Sequence, residues 1–391
     1  MNSVNFDNII DRRNTNSLKH DFAKENNLPE DVLPMWVADM DFKAAPCVIE
    51  ALQKSVDHGI FGYSDTKDDY YDIVVSWFRD HFNWVPEKEW LVKTPGVVYA
   101  LAMAVRALTK EGEAVIIQPP VYYPFYNVIR NNGRQIIESP LVYTEGKYTI
   151  DFEDFEQKIK DNDVKLFILC SPHNPVCRVW TKDELEKLGE ICKKYGVYVV
   201  SDEIHCDFTW EGNPHTVFTE AVPDMEDKVI ICTAPSKTFN VAGLQLSNIW
   251  IPSADIREKY QAEIAGSGYT VMNNLGIVAC KAAYKDGYEW SLELKKYIRG
   301  NLDYIRDFLK DNIPEIKLVE PEGTYFAWLD CSGLGLTSDE LDDVIINKAK
   351  LWLDAGKIFG EIANQFQRVV LACPREIIVK AMNQLKEALG K

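Results

Sequence analysis

Four short apolar runs, separated by amphipathic stretches, constrain the fold of this chain more than any other feature. They read AVIIQ over 114–118, VKLFILC over 164–170, VYVVSD over 197–202 and KVIICTA over 228–234. Short runs this rich in Val, Ile and Leu are strands buried on both faces, and helical stretches between them make the sheet mainly parallel. The clearest crossover helix is TKDELEKLGEICKKYG. Thr181 stands three residues before Glu184, a capping-box spacing; Leu185, Leu188 and Cys192 share one face, and Gly196 suits a left-handed C-cap.

Beyond Leu275 the pattern changes to a long amphipathic helix over 284–310, short strands IKLVE and YFAWLD, a helix after Ser338, a strand RVVLA and a terminal helix after Pro374. This less regular order suits an α+β unit. The N-terminal segment has weak periodicity and is expected to pack on that unit. A chain of 391 residues exceeds what one core normally serves. The expected organisation is a large α/β domain over 46–283 and a smaller α+β domain made of 1–45 and 284–391.

A formal net charge of −17 argues against a sequence-independent grip on nucleic acid or an anionic membrane, so a small molecule is the expected partner. The most apolar helical stretch, VVYALAMAVRAL, is broken by Arg106 and too short to span a bilayer, and MNSVNFDNIIDRRNTNS lacks the apolar core of a signal peptide. The cytoplasm is therefore the expected compartment. No Cys-x-x-Cys pair occurs, and Cys170, Cys192 and Cys232 lie inside apolar runs, so neither a disulfide framework nor a structural zinc is expected.

The residues that end the strands carry the chemistry. KLFILC is followed by Asn174 of SPHNP, VYVV by Asp202 of SDEIH, and VIIC by Lys237 of APSKTF. In open α/β sheets ligands bind beyond the carboxyl ends of parallel strands, so these three groups converge on one crevice. Singly, each has an ordinary explanation: a solvated loop lysine, a turn carboxylate, an Asx turn before Pro175. Together they match pyridoxal phosphate, whose aldehyde condenses with a lysine and whose protonated ring nitrogen pairs with a carboxylate. On this reading Lys237 carries the cofactor and later moves a proton, Asp202 faces the ring nitrogen and Asn174 donates to the ring hydroxyl oxygen. Gly96 in KTPGVVYAL opens into a helix whose free amides favour a dianion, and Thr233 and Ser236 offer hydroxyls. Tyr122 in QPPVYYPF either lays its ring on the pyridine or packs at a strand end.

The stretches MWVADMDF, FGYSD, TPGVVYAL, SPHNPVCRVW, SDEIHCDF, APSKTFNVAGL and RVVLACPRE, in that order, make the chain resemble fold-type I pyridoxal-phosphate enzymes of the class I/II aminotransferase superfamily nearly end to end. Within them it is most similar to the cystathionine beta-lyase branch of C–S lyases. The resemblance implies a homodimer with its active site at the subunit interface, Tyr63 reaching the neighbour's cofactor phosphate, and Arg368 clamping the substrate carboxylate. It also implies that Gly96, Val97, Val98, Tyr122, Asn174, Asp202, His205, Thr233 and Ser236 surround the cofactor, and that Ala38, Tyr123 and Asn174 join Arg368 at the substrate. Two positions depart from the aminotransferase pattern: Gln245 replaces the phosphate-binding arginine eight residues after Lys237, and His205 replaces a tyrosine three residues after Asp202. A metal site built from Asp202, His205 and Cys206 is not expected, because these residues alternate faces on an extended strand.

The resemblance favours elimination of a thiolate from cystathionine or a related cysteine conjugate, giving pyruvate and ammonia. Transamination by a class I/II aminotransferase shares the Cα carbanion and diverges only afterwards; charge and periodicity do not separate the two. A third reading, a non-catalytic ligand-binding or regulatory protein on this fold, predicts loss of Lys237 or Asp202, and both are retained.

Overall fold

The apolar runs form the middle of a seven-stranded sheet in the computed structural model, which describes residues 4–391. Its order is Leu91–Thr94, Ser247–Trp250, Val229–Thr233, Tyr198–Asp202, Leu166–Cys170, Ala114–Ile117 and Gln135–Glu138. The last five run parallel, and Ser247–Trp250 is antiparallel to both of its neighbours.

Cover on both faces explains why these strands read as continuous apolar runs. Phe167, Leu169, Val199 and Ile231 enter one core with Leu185, Leu188 and Cys192 of the helix Lys182–Tyr195. Leu166, Ile168, Val200 and Ile230 enter a second core with Ala100, Leu101 and Val105 of the helix Val97–Leu108. Each such side chain contributes ~1.5–3 kcal/mol by leaving water. The capping box at Thr181 forms: its hydroxyl accepts from the Glu184 amide at 3.2 Å, and the Glu184 carboxylate accepts from the Thr181 amide at 2.8 Å. On the same helix a Cβ at Gly189 would lie 2.6 Å from both methyl carbons of Val222, so this contact is as close as glycine allows.

The second sheet is antiparallel, in the order Lys317–Val319, Phe326–Asp330, Phe366–Val370, Asp354–Ala355. The RVVLA strand thus starts two residues early, at Phe366. The single helix expected over 284–310 is two helices, Asn274–Asp286 and Tyr288–Asn312. They break at Gly287, where a Cβ would come within 2.4 Å of the Ala283 carbonyl and 2.5 Å of the Phe239 ring. Apolar periodicity runs through the break in Ala283, Tyr284, Trp290 and Leu294, which is why the sequence reads as continuous.

The N-terminal segment lies on this second sheet. Leu33–Pro34 pairs in parallel with Leu351–Trp352, Trp36 stacks on Trp352 at 4.3 Å, and the Val370 and Asp41 amides donate to Met35 O and Ala372 O, each at 3.0 Å. Among the described residues no helix is long and apolar enough to cross a membrane. All the cysteines are free thiols, and only Cys47 is not buried.

Candidate active site

Beyond the carboxyl ends of Leu166–Cys170, Tyr198–Asp202 and Val229–Thr233 lies a cavity of about 460 Å³, walled by Asn174, Asp202 and Lys237. Parallel pairing sets the three strand ends side by side, with Cys170 opposite Asp202 and Asp202 opposite Cys232. The polar residues that follow therefore face one space, as the sequence pattern predicts.

Asp202 is buried at the end of its strand, and among the described residues the Ile204 amide, 3.2 Å from Oδ1, is the one donor its carboxylate has. Burial pushes its pKa up to about 7, against the opposing pull of that amide and of the Lys237 charge. Lys237 is half-buried and its Nζ donates to the Ala38 carbonyl at 2.9 Å. Burial, with the charge of Arg368, brings its ammonium down to about 8, while Asp39 and Asp202 pull the other way.

Asn174 Oδ1 accepts from Arg368 Nη1 at 2.7 Å. Arg368 sits on the strand between Phe326–Asp330 and Asp354–Ala355, so it is buried rather than an edge charge. Its Nη2 donates to the Trp36 carbonyl at 3.0 Å and to the Asp354 carboxylate. The guanidinium lies 4.3 Å over the Phe326 ring and 4.9 Å over Phe359, a stacked setting that a lysine could not reproduce.

The helix Val97–Leu108 begins at the wall of the cavity. Gly96, Val97 and Val98 line the cavity, no side chain caps this terminus, and the helix dipole adds positive character there. Ser236, Gln245 and Ser247 line the same cavity, and the buried Ser247 hydroxyl has no partner among the described residues. Tyr122 forms a further wall, and burial raises its phenol so that it stays protonated. His205 also lines the cavity, edge-on to Tyr325 at 5.5 Å and Phe326 at 5.4 Å; burial keeps it neutral, and its Nδ1 is unpaired.

Residues 30–385 match the family model for aminotransferase class I and II. The chain belongs to that family. This class I and II aminotransferase family member is 42% identical to cystathionine beta-lyase PatB of Bacillus subtilis (strain 168) over 387 residues, 99% of this chain and 100% of PatB. It is similar, with a TM-score of 0.96 and 40% identity over 99% of both chains, to cystalysin from Treponema denticola, a structure that contains pyridoxal 5'-phosphate. It also resembles the PLP-bound C-S lyase from Staphylococcus hominis, with a TM-score of 0.93 and 34% identity over 100% of this chain and 99% of that one.

Within this family member three expected site residues, Thr233, Tyr63 and Tyr123, lie elsewhere, and Arg368 meets the cavity wall through Asn174 without lining it. The Thr233 hydroxyl donates to Asn248 O at 2.9 Å and accepts from Trp250 Nε1 at 3.1 Å, so the neighbouring strand consumes it and Ser236 faces the cavity instead. Tyr63 is 97% exposed and lines a separate surface hollow with Tyr269 and Met272, so within one chain it does not reach the cavity. Tyr123 stands behind Tyr122, with ring centroids 5.6 Å apart, and does not line the cavity. The sequence reading missed Ser247, Tyr269 and Tyr325. The Tyr325 hydroxyl donates to the Ala38 carbonyl at 2.9 Å beside the Lys237 bond. Tyr325 sits in a run that reads only as core, and no spacing marks Ser247.

Proposed function

We propose that this chain is a pyridoxal-phosphate-dependent carbon–sulfur β-lyase that converts cystathionine or related cysteine conjugates into pyruvate, ammonia and a thiol. The observation that carries the reading is one cavity shared by an amine and a carboxylate that has no cation of its own. The chain's residues suit the cofactor. A carboxylate held by one amide fits a ring N–H⁺, and an uncapped helix start with neutral hydroxyl and amide donors fits a phosphate. When bound, the cofactor supplies an electron sink that acidifies the substrate Cα–H.

Asp202 then keeps the ring nitrogen protonated. Asn174 donates to the ring hydroxyl oxygen while its Oδ1 steadies Arg368, which receives the substrate carboxylate. Lys237, as a free amine, would take the Cα proton at Nζ. An ammonium at about 8 leaves roughly a tenth of that amine neutral at pH 7. Gly96, Val97, Val98, Ser236, Ser247 and Gln245 hold the phosphate without an arginine.

Elimination is favoured over transamination by the activities named in the relatives, PatB and the Staphylococcus C-S lyase. Among the described residues Lys237 is the one cation that lines the cavity, and with Arg368 behind Asn174 given to the α-carboxylate no cation of the lining is left for the distal carboxylate of a dicarboxylic oxo acid. The working form in this reading is a cytoplasmic homodimer. Ile60, Phe61 and Tyr63, 67%, 61% and 97% exposed, form an apolar strip suited to a second copy, whose Tyr63 would reach the phosphate end. The large unit, 46–283, carries the cavity, and the small unit, 1–45 with 284–391, supplies Arg368.

Incubating the PLP-loaded protein with cystathionine and no oxo acid tests the reading. Pyruvate and thiol released together over many turnovers are expected. One stoichiometric turnover that resumes only on addition of an oxo acid would establish transamination instead.

A further inference from the structure

An ion cluster, buried at Lys19 and Asp41 and half-buried at Arg12, Asp39 and His20, lies one residue from the carbonyl that holds Lys237. Asp39 and Asp41 both receive Arg12, whose Nη2 is 2.6 Å from Asp39 Oδ2 and whose Nη1 is 2.7 Å from Asp41 Oδ1. Lys19, 1% exposed, places Nζ 2.7 Å from Asp41 Oδ2, and His20 Nε2 lies 3.0 Å from Asp41 Oδ1. Burial works against the Asp41 charge, yet Lys19 and His20 outweigh it and hold the carboxyl below its usual range. Desolvating charges is expensive, and removing one partner of such a pair leaves an uncompensated charge, so the members of the cluster hold one another in place.

The segment it fixes is gripped from the other side as well. Asn240, three residues after Lys237, accepts from the Met40 amide at 3.0 Å and donates to the Met40 and Phe42 carbonyls at 3.0 and 2.9 Å. Its φ of 55° is the left-handed conformation that asparagine tolerates. Immediately before the gripped residues the Ala38 carbonyl accepts from Lys237 Nζ and from the Tyr325 hydroxyl, and the Trp36 carbonyl accepts from Arg368.

We propose that Arg12, Lys19, Asp41 and Asn240 are positioning residues for the Lys237 amine: they clamp residues 39–42 so that the adjoining Ala38 carbonyl fixes the direction of the Nζ protons. An N–H committed to that carbonyl leaves the remaining valences of the nitrogen in a fixed orientation for proton transfer. The inference deepens the lyase reading, because it takes Lys237 as the reacting amine.

The charged groups that face Lys237 are Arg368, Asp39 and Asp202, with neutral His205 beside them. A carbonyl acceptor and a nearby carboxylate both favour the ammonium, so loosening the clamp lowers the amine's titration midpoint further. Mere loosening that admits water would raise it instead. The test is the midpoint of Lys237 in the full-length, cofactor-free chain, read by pH-dependent labelling with acetic anhydride and mass spectrometry.

Asp41→Asn and Asn240→Ala are each expected to lower it by about half a pH unit, roughly threefold in neutral amine. Arg306→Gln, which breaks the distant Arg306–Glu320 pair, should leave it unchanged. Should Asp41→Asn fail to fold, Asn240→Ala acts on the same carbonyl through neutral hydrogen bonds and carries the test. An unmoved or raised midpoint overturns the clamp while wild-type pyruvate release still stands. Loss of pyruvate release in the wild type would instead overturn the lyase reading and with it the reacting role of Lys237.

Discussion

In the cofactor-free chain Lys237 is a liability to stability, and its size follows from the site. Folding lowers its pKa from the ordinary 10.5 to about 8, a gap equivalent to about 3 kcal/mol at ~1.4 kcal/mol per pH unit. Because the side chain is only half-buried, solvent screening reduces this to about 1–2 kcal/mol. Below pH 8 folded and unfolded chains both carry the proton and the full penalty applies. Between 8 and 10.5 the folded chain sheds its proton first, so stability rises with pH, and above 10.5 the penalty is gone.

Lys237→Met keeps the length of the side chain and removes the charge, and Ala38 O keeps its hydrogen bond from Tyr325 at 2.9 Å, so no acceptor is orphaned. The cofactor-free Met variant should therefore be about 1–2 kcal/mol more stable than wild type at pH 7, with the gap closing as pH approaches 10.5. Guanidinium unfolding midpoints at pH 7, 9 and 10.5 measure this. A variant no more stable at pH 7, or a gain that does not depend on pH, would refute the placement of a charged amine in a desolvating site.

The same reasoning applies with opposite sign to Asp202, whose folded pKa is raised from 3.8 to about 7: the cofactor-free chain should lose stability as pH rises across that window, and Asp202→Asn should flatten the loss in urea melts. In the loaded enzyme Asp202→Asn removes one partner of a buried charge pair and should weaken cofactor retention by about 2–5 kcal/mol, read by equilibrium dialysis. Arg368→Lys keeps a charge but loses the bidentate, stacked geometry on Phe326, and should raise KM for cystathionine tenfold or more with a smaller change in kcat. Gly189→Ala forces a Cβ within 2.6 Å of Val222 and should cost about 1–3 kcal/mol in thermal unfolding while leaving the kinetics of the surviving enzyme unchanged.

What the sequence makes legible here are features set by local chemistry. Strands buried on both faces have to be apolar throughout, so Leu166–Cys170, Tyr198–Asp202 and Val229–Thr233 announce themselves, and the polar residue after each marks a strand end. Thr181 and Glu184 mark a helix start because both halves of the capping box lie within one turn. What depends on distant partners is not legible. Position 287 has room only for glycine because of where the Ala283 carbonyl and the Phe239 ring sit, and Thr233 is lost to the cavity because Asn248 and Trp250 claim its hydroxyl. That Arg368 is buried shows only once the Asp354–Ala355 strand is seen to cover its other side. Lys19 and Asp41 show no pairing signal, since neither periodicity nor motif places a lysine at position 19 against that carboxylate.

Borohydride reduction of the PLP-loaded protein, followed by digestion and mass spectrometry, tests most directly whether the cavity amine carries the chemistry. The cofactor should be fixed to the peptide that contains Lys237, and no fixed label should remain in Lys237→Ala. Label on a different lysine, or equal fixation in that variant, would contradict the account.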